Sequence, residues 1–233
     1  MRPIDRVTVT ARMTQHEATS AGSRDVEQLA DHLGLQRFAV IGHSSGGPNA
    51  AACARFLGDR LVGCAIVSGI APPEANVSKH AMMRMNRVTQ RLVPMAPRLL
   101  GIAFAAGLRR EHRDPDKALA WMSRTLPACD AALIERPELR AALQADLALP
   151  PAATAGRAAV QDVELELRPW GFRFRDIAIP AHVWHGDLDR NVVVESGIYQ
   201  ANEIPLATLH ELPLAGHWLV YDHFEEILDT VVA

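Results

Sequence analysis

Three short stretches of the chain hold side chains that could act on one another chemically. Residues 37–58 read RFAVIGHSSGGPNAAACARFLG, where an apolar run stops at G-H-S-S-G and an alanine-rich, helix-like pattern follows at once. Residues 182–192 read HVWHGDLDRNV, a strand-like run that closes in a loop with two aspartates, Asp187 and Asp189. Residues 209–219 read LHELPLAGHWL, another such run leading to Gly216 and His217. A serine hydroxyl is a poor nucleophile until a base takes its proton, and the base needs a carboxylate to orient it. In chain order, then, Ser44, one of two aspartates and His217 supply a nucleophile, an acid and a base for acyl transfer.

The surroundings of Ser44 strengthen this reading. A buried strand running through G-H-S-S-G straight into a helix is the context of a nucleophile elbow, a tight turn that lifts the serine Oγ above the carboxyl end of a sheet. Gly42 and Gly46 are expected to lack side chains so that strand and helix can approach each other. A phosphate-binding loop fits less well, because no lysine follows the glycines and G-H-S-S-G-G misses the G-x-G-x-x-G spacing. His182 and His185 lie near the two aspartates, but three residues apart on a strand they point to opposite faces and cannot share one metal ion. Both are read as structural, and neither a metal nor a cofactor is expected.

These loops need a sheet to position them. RFAVIG, VGCAIVSG (62–69) and AHVWHG (181–186) read as short buried strands, and SRDVEQLADHLG as a helix starting at Ser23 or Asp25 and stopping at Gly34. DRVTVTA near the start alternates like a further strand. Strands that alternate with helices imply a mostly parallel sheet flanked by helices, an α/β fold. Between about residues 76 and 165 the strand signals vanish and proline-separated helical segments such as SKHAMMRMNRVTQRLV and DPDKALAWMSRTL take over. The expected organisation is a core of residues 1–75 and 166–233 with an all-helical cap, 76–165, inserted in it.

Composition narrows the partners. The chain has 233 residues and a formal net charge of −3, enough for one buried core and with no electrostatic reason to seek nucleic acid or a membrane surface. A small molecule, apolar or amphipathic, is the expected partner. Three cysteines, Cys53, Cys64 and Cys129, follow no disulfide or metal-ligand spacing and are read as small core residues in a reducing compartment. The first residues, MRPIDRVTVTARMTQ, contain no signal-peptide core and no window reaches the length of a membrane span, so the expected location is cytoplasmic.

Taken together, VIGHSSGG, IPAHVWHGDLDRNVVVE and LPLAGHW, in this order, resemble the α/β-hydrolase superfamily. The resemblance runs from about residue 24 to the C-terminus and implies a serine hydrolase with a helical cap. Carried over position by position, Ser44 matches the nucleophile and His217 the general base. The family's H-G-x-x-D pattern places the acid at Asp189, with Asp187 as the fallback, and the N–H of Ser45 matches an oxyanion-hole donor. The implied activity is hydrolysis of a carboxylic ester or related acyl compound through an acyl-enzyme, with no cofactor. Alternatives are C–C bond hydrolysis or cofactor-free peroxidation at the same site, or an inactive remnant that only binds a ligand.

The sequence also departs from the family. Only about 22 residues precede the helix before the elbow, and no His-Gly pair, the family's second oxyanion loop, occurs ahead of Ser44. The expectation is a chain truncated at its N-terminus and a weakened hydrolase, with RMTQHEATS as the place to look for a substitute donor. The apolar edge of FAVI would then be open to pairing with RVTVT or with a second copy of the chain. Val193 stands where the family often has proline, and Leu214 where it often has glycine.

Overall fold

The computed structural model describes residues 18–232, so the expected strand DRVTVTA and most of RMTQHEATS lie outside the described residues. The chain begins with helix α1 (Ala18–His32), followed by strand β1 (Phe38–His43), α2 (Gly46–Phe56) and β2 (Leu61–Val67). Six helices follow without a strand: α3 (Arg84–Leu92), α4 (Pro97–Arg113), α5 (Pro115–Thr125), α6 (Ala128–Ile134), α7 (Pro137–Leu147) and α8 (Ala155–Glu166). The chain then completes β3 (Ala181–Gly186), α9 (Val194–Glu203), β4 (Ala207–Leu212) and α10 (Phe224–Val232). The four strands form one parallel sheet in the order β1-β2-β3-β4. The α/β expectation therefore holds, with β1 at one edge of the described sheet.

Alternation along the strands divides the core in two, because successive side chains leave a strand on opposite faces. Cys64 and Ile66 of β2 and Ala181 and Val183 of β3 join α2, Trp170, Phe174 and Ile204 in one cluster. Ala65, Val67 and Trp184 point the other way, against Leu219 and against Ile227 and Val231 of α10. Small residues Ala50, Ala51 and Ala54 of α2 bring that helix close against the sheet behind Ser44.

Several boundaries differ from the sequence reading, each for a local reason. Helix α1 extends back to Ala18, and Ser23 is buried within it instead of capping it. β2 stops at Val67 because Ser68 turns into the left-handed region at φ +47°. α3 begins at Arg84, not near residue 78, because Met83 is extended and its N–H donates to the Arg190 carbonyl at 2.7 Å. Cys53 and Cys64 are core residues, and burial pushes their thiols up to about 11 and about 12. Cys129 is only half-buried, a correction to its reading as a core residue.

Candidate active site

Parallel strands aim their carboxyl ends at one edge of the sheet, and the loops leaving β1, β3 and β4 there carry Ser44, Asp189 and His217. Ser44 adopts φ +56°, a conformation that costs an L-residue strain and turns its Oγ out of the strand. A Cβ added at Gly42 would collide with the carbonyl oxygen of Gly46, so the strand can carry only glycine there. At Gly46 nothing among the described residues comes within 4 Å of such a Cβ, which corrects the steric role expected of it. The second close approach is made by Gly47, whose added Cβ would lie 2.8 Å from Gly69 Cα and 3.1 Å from Ile66 Cγ2.

The three side chains meet although they are far apart in sequence. Ser44 Oγ and His217 Nε2 are 3.0 Å apart, and His217 Nδ1 lies 2.8 Å from Asp189 Oδ2. With the proton on Nδ1 donated to the carboxylate, Nε2 is left to accept the serine hydroxyl proton. Asp189 is 2% exposed, and its other oxygen accepts the Asn191 and Val192 N–H groups at 2.8 and 2.9 Å. Burial pushes its carboxyl up, but the His185 ring, whose Nε2 lies 3.4 Å away, and the bond from His217 outweigh this and hold it down at about 2. Asp187, the fallback, is exposed at the surface. Val193 adopts φ −67°, the angle a proline would impose, so the loop keeps that course without one. Leu214 sits at φ +60°, a conformation that glycine takes freely. β4 itself ends at Leu212, and a short loop carries the chain on to His217.

The structure adds residues that the sequence reading missed. Asp130, on α6, is 1% exposed and accepts the His217 N–H at 3.1 Å with one oxygen and the Trp218 N–H at 2.9 Å with the other. Its carboxylate fills the space where a Cβ on Gly216 would stand. Burial pushes the Asp130 carboxyl up, opposed by those two backbone bonds. Nearby, Arg136 pairs with Asp222, a second link between the helical segment and the turn after His217. His43, the x of G-x-S-x-G, donates its Nε2–H to the His217 carbonyl at 2.9 Å. Desolvation lowers its pKa and outweighs this bond, which by itself would raise it. His185 is fully buried and donates its Nε2–H to the Val192 carbonyl at 2.9 Å, bracing the loop that carries Asp189. No sequence motif marks Asp130, because its role depends on a contact across 87 positions.

On the other side of the elbow, Ser45 Oγ donates to Glu166 Oε1 at 2.5 Å, which brings the end of α8 over the nucleophile turn. The Ser45 N–H makes no hydrogen bond among the described residues and remains available to an oxyanion. Among these residues there is also no group of three or more His, Cys, Asp or Glu side chains that could hold a metal ion. No described helix is long and apolar enough to cross a membrane. A cleft of about 740 Å³ between α4 and α8 is lined by none of the three residues and by no residue hydrogen-bonded to them or to Ser45, so its size does not connect it to the chemistry.

A family model for the alpha/beta hydrolase fold matches residues 10–224. No curated protein matches the chain in sequence. Among solved structures, Est816, described as an N-acyl homoserine lactone degrading enzyme, is 21% identical with a TM-score of 0.60, covering 91% of this chain and 74% of its own. A thermophilic esterase from Thermogutta terrifontis is 23% identical with a TM-score of 0.59, over 91% of this chain and 70% of its own. A bromoperoxidase from Bacillus anthracis is 18% identical with a TM-score of 0.59, over 90% and 71%. At these identities the likeness extends to the fold, and the chemistry has to be argued from the site.

Proposed function

The chain belongs to the alpha/beta hydrolase fold family, and on that premise we propose that it is a serine hydrolase cleaving a carboxylic ester or related acyl substrate through an acyl-enzyme. The observation that carries this reading is the continuous relay from Ser44 Oγ to His217 to Asp189, at 3.0 and 2.8 Å. Ser44 Oγ attacks the carbonyl carbon while His217 Nε2 takes its proton, and the tetrahedral oxyanion accepts the Ser45 N–H. Collapse expels the alcohol, which takes the proton from His217. A water then attacks the acyl-enzyme by the same route and releases the acid. Asp189 stays ionised and stabilises the imidazolium formed in each half-reaction, a role suited to a carboxyl held at about 2.

The test is covalent labelling. A fluorophosphonate probe should label the protein, and Ser44→Ala should abolish labelling while its circular dichroism stays unchanged. Labelling that persists in Ser44→Ala, or no labelling of the folded wild type, would sink the assignment. Assay of p-nitrophenyl esters beside 1,3-diketones and a peroxidation substrate then separates ester hydrolysis from other reactions on this fold.

A further inference from the structure

We propose that the cavity beside the nucleophile turn holds an anionic group of the substrate, a carboxylate or a phosphate, through Lys79, Arg87 and Arg91. This rests on the hydrolase reading above and names the class of ester that the site accepts. The cavity has a volume of about 430 Å³ and lies between the chain after β2, helix α3, the end of α8 and the loop that carries Asp189. Two of its walls stand one step from the reacting groups. Glu166 lines it and accepts a hydrogen bond from the Ser45 hydroxyl at 2.5 Å. Val192 lines it and donates its N–H to Asp189.

The charge in this cavity is lopsided. Lys79, Arg87 and Arg91 line it with His80, while Glu166 is the sole carboxylate, in a chain whose overall formal charge is −3. None of the three cations has an ion-pair partner among the described residues, and Lys79 Nζ is satisfied only by Gln90 Oε1 at 2.7 Å. Arg87 and Arg91 are four residues apart on α3 and so share one helix face. That face is fixed relative to the site, because Met83 N–H bonds the Arg190 carbonyl and Asn86 Nδ2 donates to Asn191 Oδ1 at 3.3 Å. Ile70 and Met82 supply apolar wall for a short chain. An anionic group is thus repelled from the Glu166 end, next to Ser45, and attracted by guanidinium forks that suit carboxylate and phosphate oxygens. The result is an ester whose carbonyl lies at Ser44 and whose charge lies at α3.

The experiment compares p-nitrophenyl hydrogen glutarate with neutral p-nitrophenyl hexanoate. In Arg87→Gln/Arg91→Gln the ratio of kcat/KM for the anionic ester over the neutral one should fall by about 10–100-fold, mainly through KM, as expected when charge-assisted hydrogen bonds are removed. Calorimetric titration of the wild type with glutarate and with inorganic phosphate identifies which anion the cavity prefers, and the double variant should lose that binding. An unchanged ratio, or failure of both anions to bind the wild type, overturns the proposal. If neither ester is hydrolysed yet glutarate or phosphate binds in an arginine-dependent way, the hydrolase reading fails and the anion site stands.

Discussion

Replacing Asp130 with asparagine tests whether the helical segment helps to hold His217, the proposed general base. The two carboxylate oxygens of Asp130 each accept one backbone N–H, from His217 at 3.1 Å and from Trp218 at 2.9 Å, in a site that is 1% exposed. An asparagine has one oxygen and one NH2, so one N–H keeps its acceptor and the other faces a donor. Leaving one buried N–H unsatisfied costs about 1–3 kcal/mol, and the variant should unfold in urea with its stability reduced by that amount. The backbone that moves carries the His217 ring, which must stay within hydrogen-bond reach of both Ser44 and Asp189. A shift of order 1 Å there is expected to lower turnover by about 100-fold, with a smaller effect on KM. Unfolding followed by tryptophan fluorescence and steady-state hydrolysis of p-nitrophenyl acetate give the two readouts. A variant with wild-type stability and wild-type kcat would show that Asp130 does not hold His217, and one that loses stability alone would reduce Asp130 to a packing residue.

The glycines of the elbow separate in a second test: Gly46→Ala should leave stability within about 0.5 kcal/mol of wild type, because its added methyl meets nothing among the described residues, whereas Gly42→Ala drives a methyl into the Gly46 carbonyl and should cost more than about 2 kcal/mol in chemical denaturation. The two aspartates of the acid loop separate by activity: Asp189→Asn should reduce p-nitrophenyl acetate turnover by about 10⁴-fold, and Asp187→Asn, at the surface, by less than about threefold. Asp189 also predicts acid lability. Its folded carboxyl titrates at about 2 against an ordinary 3.8, so it contributes stability above the ordinary value that is lost as pH falls toward about 2. By linkage the loss is about 2 kcal/mol. Urea melts between about pH 5 and pH 2 should show a correspondingly smaller decline in Asp189→Asn, and an equal decline in both proteins would count against this account.

The local setting of the proposed triad was legible in the sequence. Ser44, Asp189 and His217 each sit where a buried apolar run gives way to a glycine-containing loop, and period-2 burial with turn residues at fixed offsets is written into neighbouring positions. The parallel sheet and the strand-free stretch between β2 and β3 were readable for the same reason. What depends on contacts across the chain was not. The sequence reading assigned the close approach to Gly46 and the structure gives it to Gly47, because that is decided by where Gly69 and Ile66 pass behind α2. It also could not show that Asp130, in a helix with no motif of its own, holds the backbone of His217, or that Glu166 reaches Ser45. Arg87 and Arg91 look in sequence like an ordinary solvated helix face. Only packing of α3 against the loop that carries Asp189 turns that face toward a cavity beside Ser45, since periodicity shows which residues share a face and tertiary structure alone shows what that face meets.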